Sequence, residues 1–230
     1  MKGKILVVGA TGSVGKQIVR KLDESGSPFR LLVRDIGRAK RILGDQYELV
    51  LGDVRIPQTL SIACKGVQSV ICSIGTRFPL DDENNPEKVD FEGVANLVDA
   101  AEIAGVEQFV LVSSIAVTKP DHPLNKFGRV LDWKLQGENY LRKSGLNYTI
   151  VRPGGLTDEP GGRYGLQVDQ GDRITGRICR EDVAEICVQA LQISSARNVT
   201  FEVVNTSQTA SIDLSQLFQR LKPDTIRTLS

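Results

Sequence analysis

Lys4-Ile5-Leu6-Val7-Val8 is an apolar, β-branched run that ends abruptly in Gly9-Ala10-Thr11-Gly12-Ser13-Val14-Gly15. A helical pattern follows at once, with Ile18, Val19 and Leu22 on one face. A buried strand, a glycine-rich turn and a helix in that order make a phosphate cradle. Glycine lets the backbone pass close to a diphosphate, and the unpaired amides at the helix N-terminus face the anion. Three glycines alone are weak evidence. At the end of a first strand, with a basic residue closing the second, they point to a dinucleotide.

The rest of the chain supplies the frame this cradle needs. Strands are predicted at 4–8, 29–33, 48–51, 67–74, 108–114, 147–152 and 200–205, and helices near 13–25, 57–64, 87–104, 125–144, 181–193 and 212–221. Strands and helices in alternation predict an α/β, Rossmann-type, doubly wound parallel sheet of about seven strands with helices on both faces. Val94, Leu97, Val98, Ala101 and Ala104 repeat with a 3.6-residue period and stop at Gly105, a natural helix end. No repeat or linker interrupts the 230 residues, so one NAD(P)-binding domain over 1–230 is expected. Two stretches break the rhythm, near 76–86 and the glycine-rich 153–176. Both leave carboxyl ends of strands, so both are expected to shape a substrate mouth.

Composition removes several classes. Lys+Arg 29 against Asp+Glu 28 gives a net charge of +1, too little to draw the chain onto nucleic acid or an anionic membrane. Apolar runs are of strand length, short of the ~20 residues a membrane-crossing helix needs, so no transmembrane segment is expected. The first strand starts almost at once, which leaves no room for a targeting segment and suggests a soluble, cytoplasmic protein. Cys64, Cys72, Cys179 and Cys187 lack metal-ligand spacing, and His122 is the sole histidine. Buried structural thiols and no metal are therefore expected.

Several side chains stand where a dinucleotide would need them. Arg34 ends the second strand, where it would fork onto a 2′-phosphate, and Arg38 follows one turn later. That favours NADP(H) over NAD(H). Asp35 is the competing reading, since a strand one residue longer would hand a ribose 2′-hydroxyl to its carboxylate. Asp53 and Val54 after the third strand can hold an adenine, or can simply turn the chain. Ile74 and Gly75 bring backbone beside the cofactor. Ser113 and Ser114 close the fifth strand, where a hydroxyl can meet a substrate carbonyl or cap the next turn. Pro153 closes the sixth. Lys134 falls among Phe127, Val130, Leu131 and Leu141 on a face that should be apolar. Such a lysine either pairs with Glu138 one turn along or reaches a ribose hydroxyl.

Together the segments GATGSVG at 9–15, LLVRD at 31–35, GDV at 52–54, FVLVSS at 109–114 and YTIVRPGGL at 148–156 resemble the atypical short-chain dehydrogenase/reductase superfamily, in its NAD(P)H-binding, NmrA-like branch. The resemblance spans nearly the whole chain. A looser similarity to biliverdin-IXβ/flavin reductase lies in Gly75-Thr76-Arg77 and Gly176 to Asp182. The superfamily implies cofactor contacts at the glycine turn, and Ser114 and Lys134 as catalytic positions. It also implies a Tyr-x-x-x-Lys pair, yet Val130 stands four residues before Lys134. The flavin-reductase likeness implies a histidine where Gly155 stands. Without the usual proton donor, the implied chemistry narrows to hydride transfer onto a conjugated acceptor such as a flavin, quinone or tetrapyrrole. The competing reading is a catalytically silent NADP(H)-binding regulatory or assembly protein.

Overall fold

In the computed structural model, residues 3–77, 79–207 and 213–225 are described. Phe78 in the first expected loop and the start of the last expected helix at 212 lie outside the described residues. The elements in chain order are β1 (Lys4–Val8), α1 (Ser13–Glu24), β2 (Phe29–Val33), α2 (Ile36–Leu43), β3 (Leu49–Leu51), α3 (Leu60–Cys64), β4 (Val67–Cys72), α4 (Gly93–Ile103) and β5 (Gln108–Val112). There follow α5 (Val130–Lys143), β6 (Asn147–Pro153), β7 (Gly155–Thr157), β8 (Gly165–Asp169), β9 (Arg177–Cys179), α6 (Arg180–Ala190), β10 (Val199–Thr206) and α7 (Leu214–Gln219).

The main sheet runs β3-β2-β1-β4-β5-β6-β10-β8. All its pairings are parallel except β8 on β10. Strands buried on both faces must be apolar throughout, as Ile5, Leu6 and Val7 are at 0 % exposure. Ile18 and Leu22 of α1 pack with Val183 and Ile186 of α6 on one face. Leu60, Leu97, Val98 and Leu141 fill the other. A fully buried leucine such as Leu97 contributes roughly 1.5–3 kcal/mol. The strand order reverses between β1 and β4, so a crevice opens at their carboxyl ends.

Four departures from the sequence reading have local causes. The 36–43 segment is a helix, because Asp35 Oδ1 accepts from the Arg38 amide at 2.8 Å and caps it. Only Ala39 of α2 is buried, so no apolar stripe announced it. The expected 125–144 helix instead begins at Val130, since Arg129 takes φ 56° and a tight turn covers Pro123–Lys126. The Asn125 side chain then accepts from the Leu131 amide at 2.9 Å. A wide, π-helical turn at Glu87–Glu92 leads into α4 and carries Asp90 inward. Finally, 153–176 is no plain loop: β7 pairs in parallel with β9, and β8 closes the sheet as an eighth, antiparallel strand. Glycines at either side of these short strands masked their alternation.

Candidate functional site

The β1–α1 turn is made of backbone that only glycine allows. Gly9 has φ +90°, and a Cβ on it would lie 2.7 Å from the Ser73 carbonyl oxygen. A Cβ on Gly15 would collide with the Gly9 carbonyl, so α1 sits directly under the turn. Gly12 donates to the Gly9 carbonyl at 2.8 Å and is the N-cap of α1. No side chain caps this helix, and its first turn holds no acid. Its leading amides therefore keep their partial positive charge for an incoming anion. This donor set fits a diphosphate.

The turn forms the floor of a cavity of about 950 Å³ at the sheet's switch point. Gly9, Thr11, Gly12, Ser13, Val14, Arg34, Asp53, Val54, Ile74, Gly75, Ser113, Ser114, Lys134 and Pro153 all stand in its wall. Gly15 lies beneath the turn. Arg38 is exposed on α2 and is not in the wall. Asp35 is spent on capping α2, which leaves Arg34 as the β2-end residue in the cavity.

At the Arg34 side, Asp53 is not a free acceptor. Arg55 reaches it with Nη2 at 2.6 Å and Nε at 3.0 Å, and the Arg55 amide adds a bond at 3.0 Å. Burial pushes the Asp53 carboxyl up, but the bonds from Arg55, with Arg34 nearby, outweigh it and hold it below the usual range. Val54 is buried against Gly93, where a Cβ would come within 2.7 Å of its Cγ2. Arg77 donates to the Thr11 carbonyl at 3.4 Å. The sequence reading noted Arg77 only as part of a looser likeness and gave it no role.

Midway along, Lys134 meets Asp90 and not Glu138. Its Nζ lies 2.6 Å from Asp90 Oδ1, while Asp90 Oδ2 accepts from the Thr76 amide at 3.1 Å and from the Thr76 hydroxyl. The Asp90 side chain is wholly buried and Lys134 is 17 % exposed. The alternative i,i+4 pair does not form because Glu138 is claimed from the other side. Arg152 Nε and Nη2 reach it at 3.0 and 2.7 Å, and Arg142 Nη2 at 2.7 Å.

That second cluster supports the far end of the cavity. Arg152 also extends Nη1 to Glu202 at 3.3 Å. Burial pushes the Glu202 carboxyl up despite its bonds and the nearby Arg152. Asp172 accepts from the Ala116 amide at 2.6 Å, the Thr118 amide at 2.9 Å and the Thr118 hydroxyl at 2.7 Å. Burial raises its carboxyl, and those bonds more than reverse the effect, so it sits below the ordinary range. The segment after Ser114 is thereby pinned. Ser114 Oγ donates to the Ile115 carbonyl at 2.9 Å, its local capping role. Ser113 Oγ is buried in the wall with no hydrogen-bond partner among the described residues. His122 Nδ1 accepts from the Leu124 amide at 3.3 Å, so it is held as a loop residue at the mouth.

All four cysteines are buried and unpaired, as expected, and burial pushes Cys72 and Cys187 up to about 12. Among the described residues no tyrosine lines the cavity, and no helix is long and apolar enough to cross a membrane.

A doubly wound sheet with an uncapped glycine turn at its switch point defines a Rossmann-type dinucleotide-binding protein. The chain belongs to the NAD(P)H-binding family, whose model matches residues 9–193. It is 37% identical to an uncharacterised chloroplastic protein of Arabidopsis thaliana, over 94% of this chain and 75% of that protein. Sanguinarine reductase of Eschscholzia californica is 33% identical over 94% of this chain and 95% of its own length. The photosystem II assembly factor Ycf39 of Synechocystis is 30% identical, over 97% and 69%. Among solved structures, a Bacillus halodurans protein assigned as an NAD-dependent epimerase/dehydratase superposes with TM-score 0.82 at 26% identity, covering 95% of this chain and 100% of that one. ChuY of Escherichia coli O157:H7, an anaerobillin reductase, shares the fold with TM-score 0.74 at 22% identity, over 90% and 100%. Rossmann architecture and membership of the NAD(P)H-binding family thus rest on both sequence and structure.

Proposed function

We propose that the chain, acting as one NAD(P)-binding domain of the NmrA-like branch, is an NADPH-dependent reductase of a flat conjugated acceptor of the flavin, quinone or tetrapyrrole type. The observation that carries this reading is a single cavity joining Arg34, the glycine cradle and a mouth beside Ser113 and Ser114. Gly9, Thr11, Gly12, Ser13, Val14 and Gly15 would build the diphosphate seat. Arg34, backed by Arg38, would take the 2′-phosphate and so favour NADP(H) over NAD(H). Asp53 and Val54 would flank the adenine, and Ile74, Gly75 and Pro153 the nicotinamide half. Lys134, steadied by Asp90, would hold ribose hydroxyls, while Ser113 and Ser114 orient the acceptor.

Bound NADPH supplies a hydride. With no tyrosine in the wall among the described residues, the matching proton would come from water, giving the dihydro form of the acceptor. That limits substrates to systems whose conjugation accepts a hydride without a positioned acid. Similarity to sanguinarine reductase supports this reading. The competing one, a silent NADP(H)-binding assembly or regulatory protein, is favoured by Val130 in the tyrosine position and by similarity to Ycf39. Four free thiols fit a reducing compartment, the cytoplasm or a plastid interior.

The test is to incubate the protein with NADPH and a panel of flavins, quinones and linear tetrapyrroles and follow NADPH absorbance. Turnover on at least one acceptor is expected. Binding without turnover on all of them overturns the enzyme reading in favour of the silent one. Arg34→Ala should weaken NADP+ about tenfold more than NAD+, the size of one lost charge-assisted bond. Equal weakening removes the assigned role.

A further inference from the structure

Five basic side chains line the cavity: Arg34, Arg55, Arg77, Lys134 and Arg180. Arg55 is held by Asp53 and donates to the Glu83 carbonyl at 2.6 Å. Lys134 is held by the buried Asp90. Arg77 reaches over the glycine turn to Thr11, and Arg34 stands beside Asp53 on the far side from the mouth. Arg180 is the remaining cation, and it belongs to the mouth, with Gly154, Gly155 and Leu156.

The fold places it there through a short parallel pairing. Thr157 of β7 is in register with Cys179 of β9, so the next residues, Asp158 and Arg180, emerge side by side at the rim. Arg180 Nη1 lies 2.9 Å from Asp158 Oδ1. Asp158 is 86% exposed, so this pair is a weak one, screened by water and salt. The guanidinium is held more firmly by its surroundings, at 21% exposure, and its Nε is buried with no hydrogen-bond partner among the described residues. Ser113 lines the same cavity, and its Oγ is likewise buried and unpartnered among the described residues. A guanidinium whose outer nitrogen rests on a solvated carboxylate can exchange that partner for a carboxylate or phosphate entering the mouth.

We infer that Arg180 is a specificity-determining residue that receives an anionic group, a carboxylate or phosphate, carried by the conjugated acceptor, with Asp158 occupying the fork until the acceptor displaces it. This rests on the reductase reading and adds the acceptor's charge to it. Nothing covalent is asked of Arg180; it orients the ring by its anionic tail.

Two matched ligand pairs test the inference, each sharing a ring system and differing in its anionic groups: FMN against riboflavin, and a linear tetrapyrrole diacid against its dimethyl ester. Affinity is measured by fluorescence quenching on protein saturated with NADP+, and turnover with NADPH is measured separately. The native chain should hold the anionic member of at least one pair about tenfold tighter, as one charge-assisted bond implies. Arg180→Gln should remove that preference while leaving the neutral member unchanged. Asp158→Asn should strengthen the preference severalfold, and it keeps the test open if the arginine variant fails to fold. No preference in either pair, or a preference that survives Arg180→Gln, overturns the inference. Anion preference in binding with no turnover on any acceptor would instead sink the reductase reading and leave Arg180 as an anion site.

Discussion

Around the β1–α1 turn the cavity is walled by backbone, whereas its support around β6 and β10 comes from buried side-chain charge. At the turn, Gly9 and Gly12 let the backbone pass close to a ligand, and α1 begins without a side-chain cap. On the other side, Glu138, Arg152 and Glu202 pair out of water, and Asp172 gathers donors from the segment after Ser114. The first construction suits a group common to all dinucleotides. The second fixes a shape, through ion pairs between residues far apart in the chain. Generic recognition needs little sequence, and a particular mouth needs many distant residues to agree.

That contrast can be broken most forcefully at Arg152. Arg152→Met leaves two carboxylates without their shared cation, and stability should fall by about 3–5 kcal/mol. Urea unfolding measures it; a loss below about 1 kcal/mol would show that the cluster supports nothing. Next comes Asp172→Asn. The folded chain favours the ionised carboxyl here, so its contribution is complete at neutral pH and disappears as acid carries the pH down through the lowered value. The variant should lose about 1.5–3 kcal/mol at neutral pH. The gap from the native chain should begin to narrow at about pH 4, where the unfolded carboxyl protonates, and close only below the lowered value of the folded one. A gap independent of pH would refute the assigned bonds.

Gly15→Ala probes the backbone side. Its Cβ would meet the Gly9 carbonyl, so about 1–3 kcal/mol of overpacking is expected, together with at least tenfold weaker dinucleotide binding. Unchanged binding by calorimetry would mean the turn can shift without loss. The smallest effect belongs to Asp35→Ala. Loss of its cap on α2 should cost about 1 kcal/mol in thermal unfolding and leave the NADP+ to NAD+ affinity ratio as it was. A changed ratio would put Asp35, rather than Arg34 alone, in charge of the ribose.

The same contrast explains what could be read in the residues. Gly9 to Gly15 and the run at 4–8 carry their meaning within a few positions, so the cradle, the strand order's first turn and Arg34 at the rim were legible. The helix at 93–103 declared itself by period and by the stop at Gly105, which does take φ +71°. Lys134 was recognised as out of place, but its partner Asp90 lies 44 positions away on a widened helical turn that no pattern marks. Arg152 sat in plain view within the segment at 148–156, yet Glu202, 50 residues further on, is brought to it only by β6–β10 pairing. An arginine near the end of a largely apolar strand was the available signal, since buried charge demands a counter-charge.

The strand β8 forms the margin of the whole sheet. It runs antiparallel to β10 and covers its backbone, which would otherwise offer a row of unpaired amides and carbonyls. Detachment of β8 would therefore offer β10 to a stranger's strand, so resistance to clumping along this side rests on these five residues.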